Sequence, residues 1–456
     1  MKAQTRVGSF LAVLVVFLAG PAPAQTASPV AAAAPVTPDQ AADTPRIRQL
    51  AKTAAAIVDA FTDSEAVFTR DGKRVVFVSN RDGLPQLYVG DAGRPEAPAT
   101  RLVTTSQRTT GALPLADGKR VLFRSDTGAD ENWSFFVCNL DGTGLAELTP
   151  GVKRQREDAV VPDGAPDTAF YSGRTMSASG SEAYSLALTS GAAEKKLYSD
   201  PLPGSLTDVS RDGKRGIWVS FPSATDNTVL LLDLATGAAK RVYPPQGGPK
   251  VQVFAARFSA DGRRILVATD GGGEHALVLA LDPGGRELAR YTETRTPTAA
   301  VGALAVAKTG DRVALALDAG NHSEVRLLDA GSLKPAADVL LPLGTGGIGE
   351  FSEDGKLLAA EWSTPDSPGE ICSVDTASGR VTPLRKDPRP SLAGLPPVAA
   401  SITEIPAFDG LKLPMNVYLP AVATEKKLPV LVVYHGGPAG SSAIRWSAAA
   451  RFFTAL

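Results

Sequence analysis

Close to the end of the chain an apolar run, "VLVVY" (430–434), leads straight into His435-Gly436-Gly437-Pro438. Acyl transfer builds negative charge on a former carbonyl oxygen. Backbone N–H groups already aimed at that oxygen stabilise it without reorganisation. Glycines suit such a turn, because a side chain would block the approach and because positive φ is open to them. Taken alone, the Gly-Gly pair is equally a plain turn after a strand. Other chemistry is thinly represented. The chain has two cysteines, Cys138 and Cys372, and three histidines, His275, His322 and His435. No Cys/His grouping has the spacing of a zinc site. Nothing in the sequence points to a metal or an organic cofactor. The cysteines are far apart and apolar-flanked, which suits separate buried thiols.

The elements that must position this turn come next. An uninterrupted apolar run reads as a strand buried on both faces of a parallel sheet, so "VLVVY" predicts one. "SSAIRWSAAARFFTAL" (441–456) predicts a helix with Ser441 or Ser442 as its N-cap. Upstream, "ITEIPAFDGLKLPMNVYLP" (402–420) predicts a hairpin about Asp409-Gly410. It is preceded by the Pro-rich connection "RKDPRPSLAGLPPVAAS" (385–401).

Before that connection the chain repeats itself. "FTRDGKRVVFVSNRDGLPQLYVGD" (68–91) recurs as "PLADGKRVLFRSDTGADENWSFFVCNLDG" (114–142), "VSRDGKRGIWVSFPSATDNTVLLLDLATG" (209–237), "FSADGRRILVATDGGGEHALVLALDPGG" (258–285) and "FSEDGKLLAAEWSTPDSPGEICSVDTASG" (351–379). Weaker copies begin near 161 and 306. The turns align at Asp71, Asp117, Asp163, Asp212, Asp261, Thr309 and Asp354, in steps of 46, 46, 49, 49, 48 and 45 residues. A fixed period in the forties, with several strands per unit, predicts a β-propeller. Each Asp-Gly makes a tight turn between two strands, since glycine accepts positive φ. His275 and His322 fall in loops of these repeats and read as surface residues.

The first 24 residues read as a cleavable export signal: Lys2 and Arg6, then an apolar run, then Ala22-Pro23-Ala24 before Gln25. The apolar run is about 13 residues, short of the ~20 that span a bilayer. The expected location is therefore a bacterial periplasm or the exterior, with no membrane attachment after cleavage. Residues 25–45 read as a linker and 46–60 as an amphipathic helix. The net charge of −1 supplies no field to draw the chain to nucleic acid. The expected fold is mainly β. A seven-bladed propeller (61–390) is followed by the first strands and helix of a second domain (391–456).

The "SxDGKRxxF" strands resemble the TolB-like, WD40-like propellers. A propeller followed by "PAFDGLKLPMNVYLP…LPVLVVYHGGPAG" resembles the prolyl oligopeptidase (S9) family of serine peptidases. Among these, the acylaminoacyl-peptidase and dipeptidyl-peptidase-like members look most similar. The resemblance covers essentially the whole mature chain. It implies that 391–456 opens an α/β-hydrolase domain and that short peptides are the substrates. It also implies that Gly437 holds the oxyanion N–H, with Gly436 shaping the approach and His435 supporting the turn. "DTGADENWSFFVCNLDG" (126–142) resembles a second-blade segment of the family. There Asp130 and Glu131 would meet a substrate's amino end, or else lie on a solvated loop. One departure is large. The family's nucleophile lies in G-x-S-x-G, followed by Asp and His, and no G-x-S-x-G occurs in this sequence. The chain is thus expected to stop early in the hydrolase domain and to be inactive by itself. The other readings are a non-catalytic TolB-like binding module and an esterase-type hydrolase sharing only the HGG turn.

Overall fold

The computed structural model describes residues 44–420, 428–436 and 440–455. The expected export signal and nearly all of the expected linker lie outside these residues.

Seven four-stranded antiparallel sheets follow one another along the chain, at 63–101, 109–147, 155–200, 204–243, 253–292, 300–338 and 345–383. They are blades 1 to 7 of a propeller, the fold class the repeat implies. Blade 4 shows the unit: Gly204–Val209 innermost, then Arg215–Ser223, Asp226–Asp233 and Ala239–Tyr243. Its first turn is built as the sequence demands. Ser210 Oγ donates to Asp212 at 2.6 Å, Gly213 N donates to Ser210 O at 2.7 Å, and Gly213 sits at φ +72°. Blade 3 departs from the pattern. Its inner strand shrinks to Gln155–Arg156, plus a bridge between Val160 and Phe170.

Side chains between blades make the core. Ile217, Val219 and Val229 of blade 4 pack with Ala256, Ile265 and Val267 of blade 5, all buried. The same scheme repeats around the ring. Cys138 and Cys372 are separate buried thiols, each pushed up to about 12 by burial. In six blades the inner strand slips register once against its neighbour, as between Ser64 and Val67 or between Leu206 and Asp208. Such bulges turn a side chain out of the sheet plane, here at the channel wall.

Among the described residues no strand is shared between blades 1 and 7, so apolar packing of Phe68, Val75 and Phe77 against Ala359, Ile371 and Leu384, together with hydrogen bonds and charges, closes the ring. Asp63 N donates to Gly369 O at 2.8 Å, and Arg389 Nε donates to Phe61 O at 3.0 Å. Arg81 bridges Asp63 and Asp387 at 2.8 and 2.9 Å, and Arg385 holds Asp387 at 2.6 Å. Burial works to raise Asp387, but the Arg385 and Arg81 guanidiniums outweigh it and hold the carboxyl low.

Antiparallel pairing gives the ring two distinct faces. The Asp-Gly turns, from first to second strand, emerge on one face. The loops from second to third strand emerge on the other. The C-terminal segment packs on this second face.

Helix α1 spans Pro45–Val58, capped by Thr44, whose Oγ1 accepts from Ile47 N at 3.2 Å. The expected hairpin forms from Val398–Pro406 and Lys412–Pro420 about a turn with Gly410 at φ +84°. Two local expectations fail. Residues 428–435 form no strand, and Val430, Val432 and Tyr434 are exposed. A strand buried on both faces needs paired neighbours, and none stands beside it among the described residues. The helix, α2, starts at Ala448 and runs to Thr454, with Ser447 rather than Ser441 or Ser442 as N-cap. Ser447 Oγ accepts from Ala450 N, whereas 441–446 are spent docking on the ring.

Candidate functional site

The C-terminal segment is held to the ring at named points on blades 6 and 7. Ile444 N donates to Asn321 O at 2.7 Å, and Trp446 N donates to Ser363 Oγ at 3.0 Å. Asp366, in the second loop of blade 7, accepts from Val398 N at 2.9 Å and pairs with Arg451 at 2.7 Å. Arg451 is buried and also donates to Pro396 O. Asn416 donates to Ser442 O at 2.9 Å, joining hairpin to segment. A cavity of about 270 Å³ remains between blades 6 and 7 and this segment, walled by Asp318, Ser323, Thr345, Ser441 and Ala443.

His435 and Gly436 follow the exposed 428–434 stretch and are themselves exposed. A Cβ placed on Gly436 would meet nothing within 4 Å, so its approach is open. Gly437, the expected oxyanion donor, lies outside the described residues. Of the other histidines, His275 is exposed, with Nδ1 3.0 Å from Pro297 O. His322 is half-buried beside Glu324, Nε2 to Oε1 3.1 Å.

Asp130 and Glu131 lie in the second loop of blade 2, on the same face of the ring as the C-terminal segment. The loop is held from below. Arg108 makes a two-pronged pair with buried Asp126, at 2.9 and 2.6 Å, and Asp126 accepts from Glu131 N at 3.1 Å. Trp133 is flanked by the Arg108 and Arg124 guanidiniums, 4.7 and 5.2 Å from its ring. Ala129 and Glu131 both take φ +59°, a conformation costly for side-chain-bearing residues. Asp130 is already engaged: it accepts from Asn132 N and pairs with Lys153 at 3.1 Å, which together hold its carboxyl low. Glu131 projects to solvent. No hydrogen bond or ion pair joins either carboxylate to Gly436 among the described residues.

Sequence reasoning missed the supports of this loop, Arg108, Asp126 and Trp133, because they are ordinary residues on three different strand ends. It also missed Glu65, a non-glycine residue at φ +54° in the inner strand of blade 1. Its carboxylate accepts from Thr110 Oγ1 at 2.7 Å and Gly111 N at 2.9 Å, and its N–H donates to Glu361 at 2.9 Å. It thereby ties blades 7, 1 and 2 at the channel wall.

No family model matches the chain. The chain is 23% identical over 397 residues to dipeptidyl aminopeptidase BIII of Pseudoxanthomonas mexicana, covering 81% of this chain and 54% of that protein. It thus spans about half the length of this curated relative. Among solved structures, puromycin hydrolase superposes with a TM-score of 0.69 at 17% identity, over 88% of this chain and 66% of the other. A prolyl endopeptidase superposes with a TM-score of 0.64 at 16% identity, over 84% and 57%. Prolyl oligopeptidase B of Galerina marginata gives 0.60 at 15%, over 84% and 58%. The solved structures, all under 25% identical, share this chain's fold.

Proposed function

We propose that this chain is the propeller and opening hydrolase segment of an exported serine peptidase that cleaves short peptides. The observation that carries the reading is the docking of the hairpin and the 441–455 segment on one face of the ring, through Asn321, Ser363 and Asp366. A free-standing binding propeller has no use for an appended hairpin with exposed Ile405, Phe408 and Leu411. The turn at Gly436-Gly437 would supply an oxyanion N–H. The nucleophilic serine, its acid and its base would come from outside these 456 residues. The ring would limit access to peptides small enough to pass between the two units.

The test is hydrolysis of aminoacyl- and acyl-aminoacyl-p-nitroanilides. The 456-residue chain is expected to give no turnover. The coding DNA beyond codon 456 is expected to carry G-x-S-x-G, then Asp, then His, and the protein it encodes to be inhibited by a serine-directed phosphonate. Phosphonate-sensitive turnover by the 456-residue chain, or a frame without that motif, contradicts the reading. Export adds a second check: mass spectrometry of the periplasmic form is expected to find Gln25 at its N-terminus.

A further inference from the structure

The Asp-Gly face carries a feature that the reading above does not use. The first turns of the blades crowd around the axis there. Arg70 of blade 1 reaches Asp163 of blade 3 at 2.5 Å and Glu353 of blade 7 at 2.6 Å. Lys308 of blade 6 lies 3.9 Å from Asp163 and 3.7 Å from Glu353. Arg211 of blade 4 adds a third cation to Asp163 at 3.3 Å. Blades 1 and 3 are not neighbours, and blades 3 and 6 stand on opposite sides of a seven-membered ring. Pairs between them can form only across the axis. The five side chains therefore lie over the channel mouth.

The sequence supports each part. In blades 1, 4, 5 and 7 the turn aspartate is occupied by the hydroxyl two residues before it, from Thr69, Ser210, Ser259 and Ser352. In blade 3 that position is Val161, and Asp163 pairs instead with Arg70, Arg211 and Lys308 of other blades. Burial works against the Asp163 charge, but Lys308, Arg70 and Arg211 outweigh it and hold the carboxyl low. Blades 2 and 5 contribute nothing, and their turns carry the small residues Ala116 and Ala260 beside the Asp-Gly. Two further hydrogen bonds fix neighbouring turns: Gly164 N donates to Arg211 O at 2.7 Å, and the Thr309 hydroxyl donates to Glu353 O at 2.5 Å.

We propose that Arg70, Asp163, Arg211, Lys308 and Glu353 form an electrostatic stopper across this end of the channel, which leaves the channel open only on the face where the C-terminal segment docks. Partly buried pairs joined in a network hold better than isolated surface pairs. The stopper also ties non-adjacent blades of a ring that shares no closing strand. The inference concerns the ring alone and stands whether or not the chain belongs to a peptidase.

A single reporter thiol tests it. Glu350, on the inner strand of blade 7 three residues before Glu353, is exposed, and its charge acts on Asp208 at the end of the blade 4 inner strand. Cys138 and Cys372 are buried and silent. The Glu350→Cys chain is treated with iodoacetamide or with a polyethylene glycol-maleimide. Iodoacetamide is expected to react readily and the bulky reagent slowly. Adding Asp163→Asn with Glu353→Gln is expected to speed the bulky reagent by roughly tenfold and leave iodoacetamide unchanged. About 1 M salt, where screening falls to roughly 3 Å, is expected to speed the bulky reagent in the Glu350→Cys chain itself. A slow bulky-reagent rate that ignores the substitutions overturns the proposal, since something other than these charges then closes the mouth, and so does a fast rate at a mouth the five side chains were to close. Labelling at all three thiols marks unfolding of the variant rather than opening. The salt arm then decides, and an unchanged rate there overturns the proposal.

Discussion

Asp208 stands at the end of the blade 4 inner strand, partly open to the channel yet surrounded by protein. Burial pushes its carboxyl up to about 6, against the Arg257 charge and the N–H groups of Phe258 and Val209. A carboxyl raised above its ordinary 3.8 binds its proton more tightly folded than unfolded. Its stabilising share is therefore complete below about 4 and is lost as the pH rises through about 6. Between pH 7 and 5 Asp208 is expected to add about 1 kcal/mol, read as a difference in urea midpoint that Asp208→Asn removes. An equal pH response in the variant would count against it. Glu131 sets a second expectation at this scale. In an active enzyme containing this propeller, Glu131→Gln is expected to raise KM for substrates with a free amino end by roughly tenfold, with kcat and acylated substrates unaffected. Asp130→Asn is expected to do little, because Lys153 already neutralises that carboxylate. Equal effects at both positions would contradict this assignment.

Turns and loops were legible to different degrees. The Asp-Gly turn could be read because its chemistry is local: a hydroxyl, a carboxylate and a glycine at positive φ within five residues. What lies beside each glycine is not local. Gly72 and Gly355 occupy the same turn position at φ +67° and +70°. A Cβ on Gly72 would meet nothing within 4 Å, whereas one on Gly355 would fall 2.1 Å from Thr309 O of the neighbouring blade. Gly72→Ala is expected to cost about 1 kcal/mol, the backbone term alone, and Gly355→Ala about 3 kcal/mol or more. Urea unfolding of the two variants compares them, and equal losses would show that the inter-blade contact does not matter. The "VLVVY" stretch failed as a strand for the opposite reason. Its apolar residues state a preference for burial, but a strand exists only when another backbone takes its hydrogen bonds. The misplaced helix start has the same origin: Ser441 and Ser442 are good caps, yet tertiary contacts at Ile444 and Trp446 hold the chain extended until Ser447.

At the scale of the molecule, the C-terminal unit is fastened to blades 6 and 7, with Asp366 gripping both Val398 and Arg451. Arg451→Ala leaves Pro396 O and Asp366 without their buried donor, and is expected to weaken docking by roughly 1–3 kcal/mol. Hydrogen exchange over 398–420 and 440–455 should quicken several-fold while blades 2 to 5 keep their protection. Uniform loss of protection would mean instead that the residue supports the whole ring.

The sequence by itself determined the ring. Seven copies of one strand-turn pattern, each too small to bury its own faces, leave stacking around an axis as the way to build a core. It also marked two short segments, HGGP and the Asp130-Glu131 loop, as candidates, because each can be read from neighbouring residues alone. Only the tertiary structure decided how they are supported and joined. Arg108, Asp126 and Trp133 come together from strand ends 25 residues apart. Arg81, Asp387 and Arg389 close the ring from opposite ends of the fold. The five charges over the channel mouth come from turns spread between Arg70 and Glu353. Ion pairs and hydrogen bonds act over a few ångströms of space and carry no period along the chain, so no local pattern announces them.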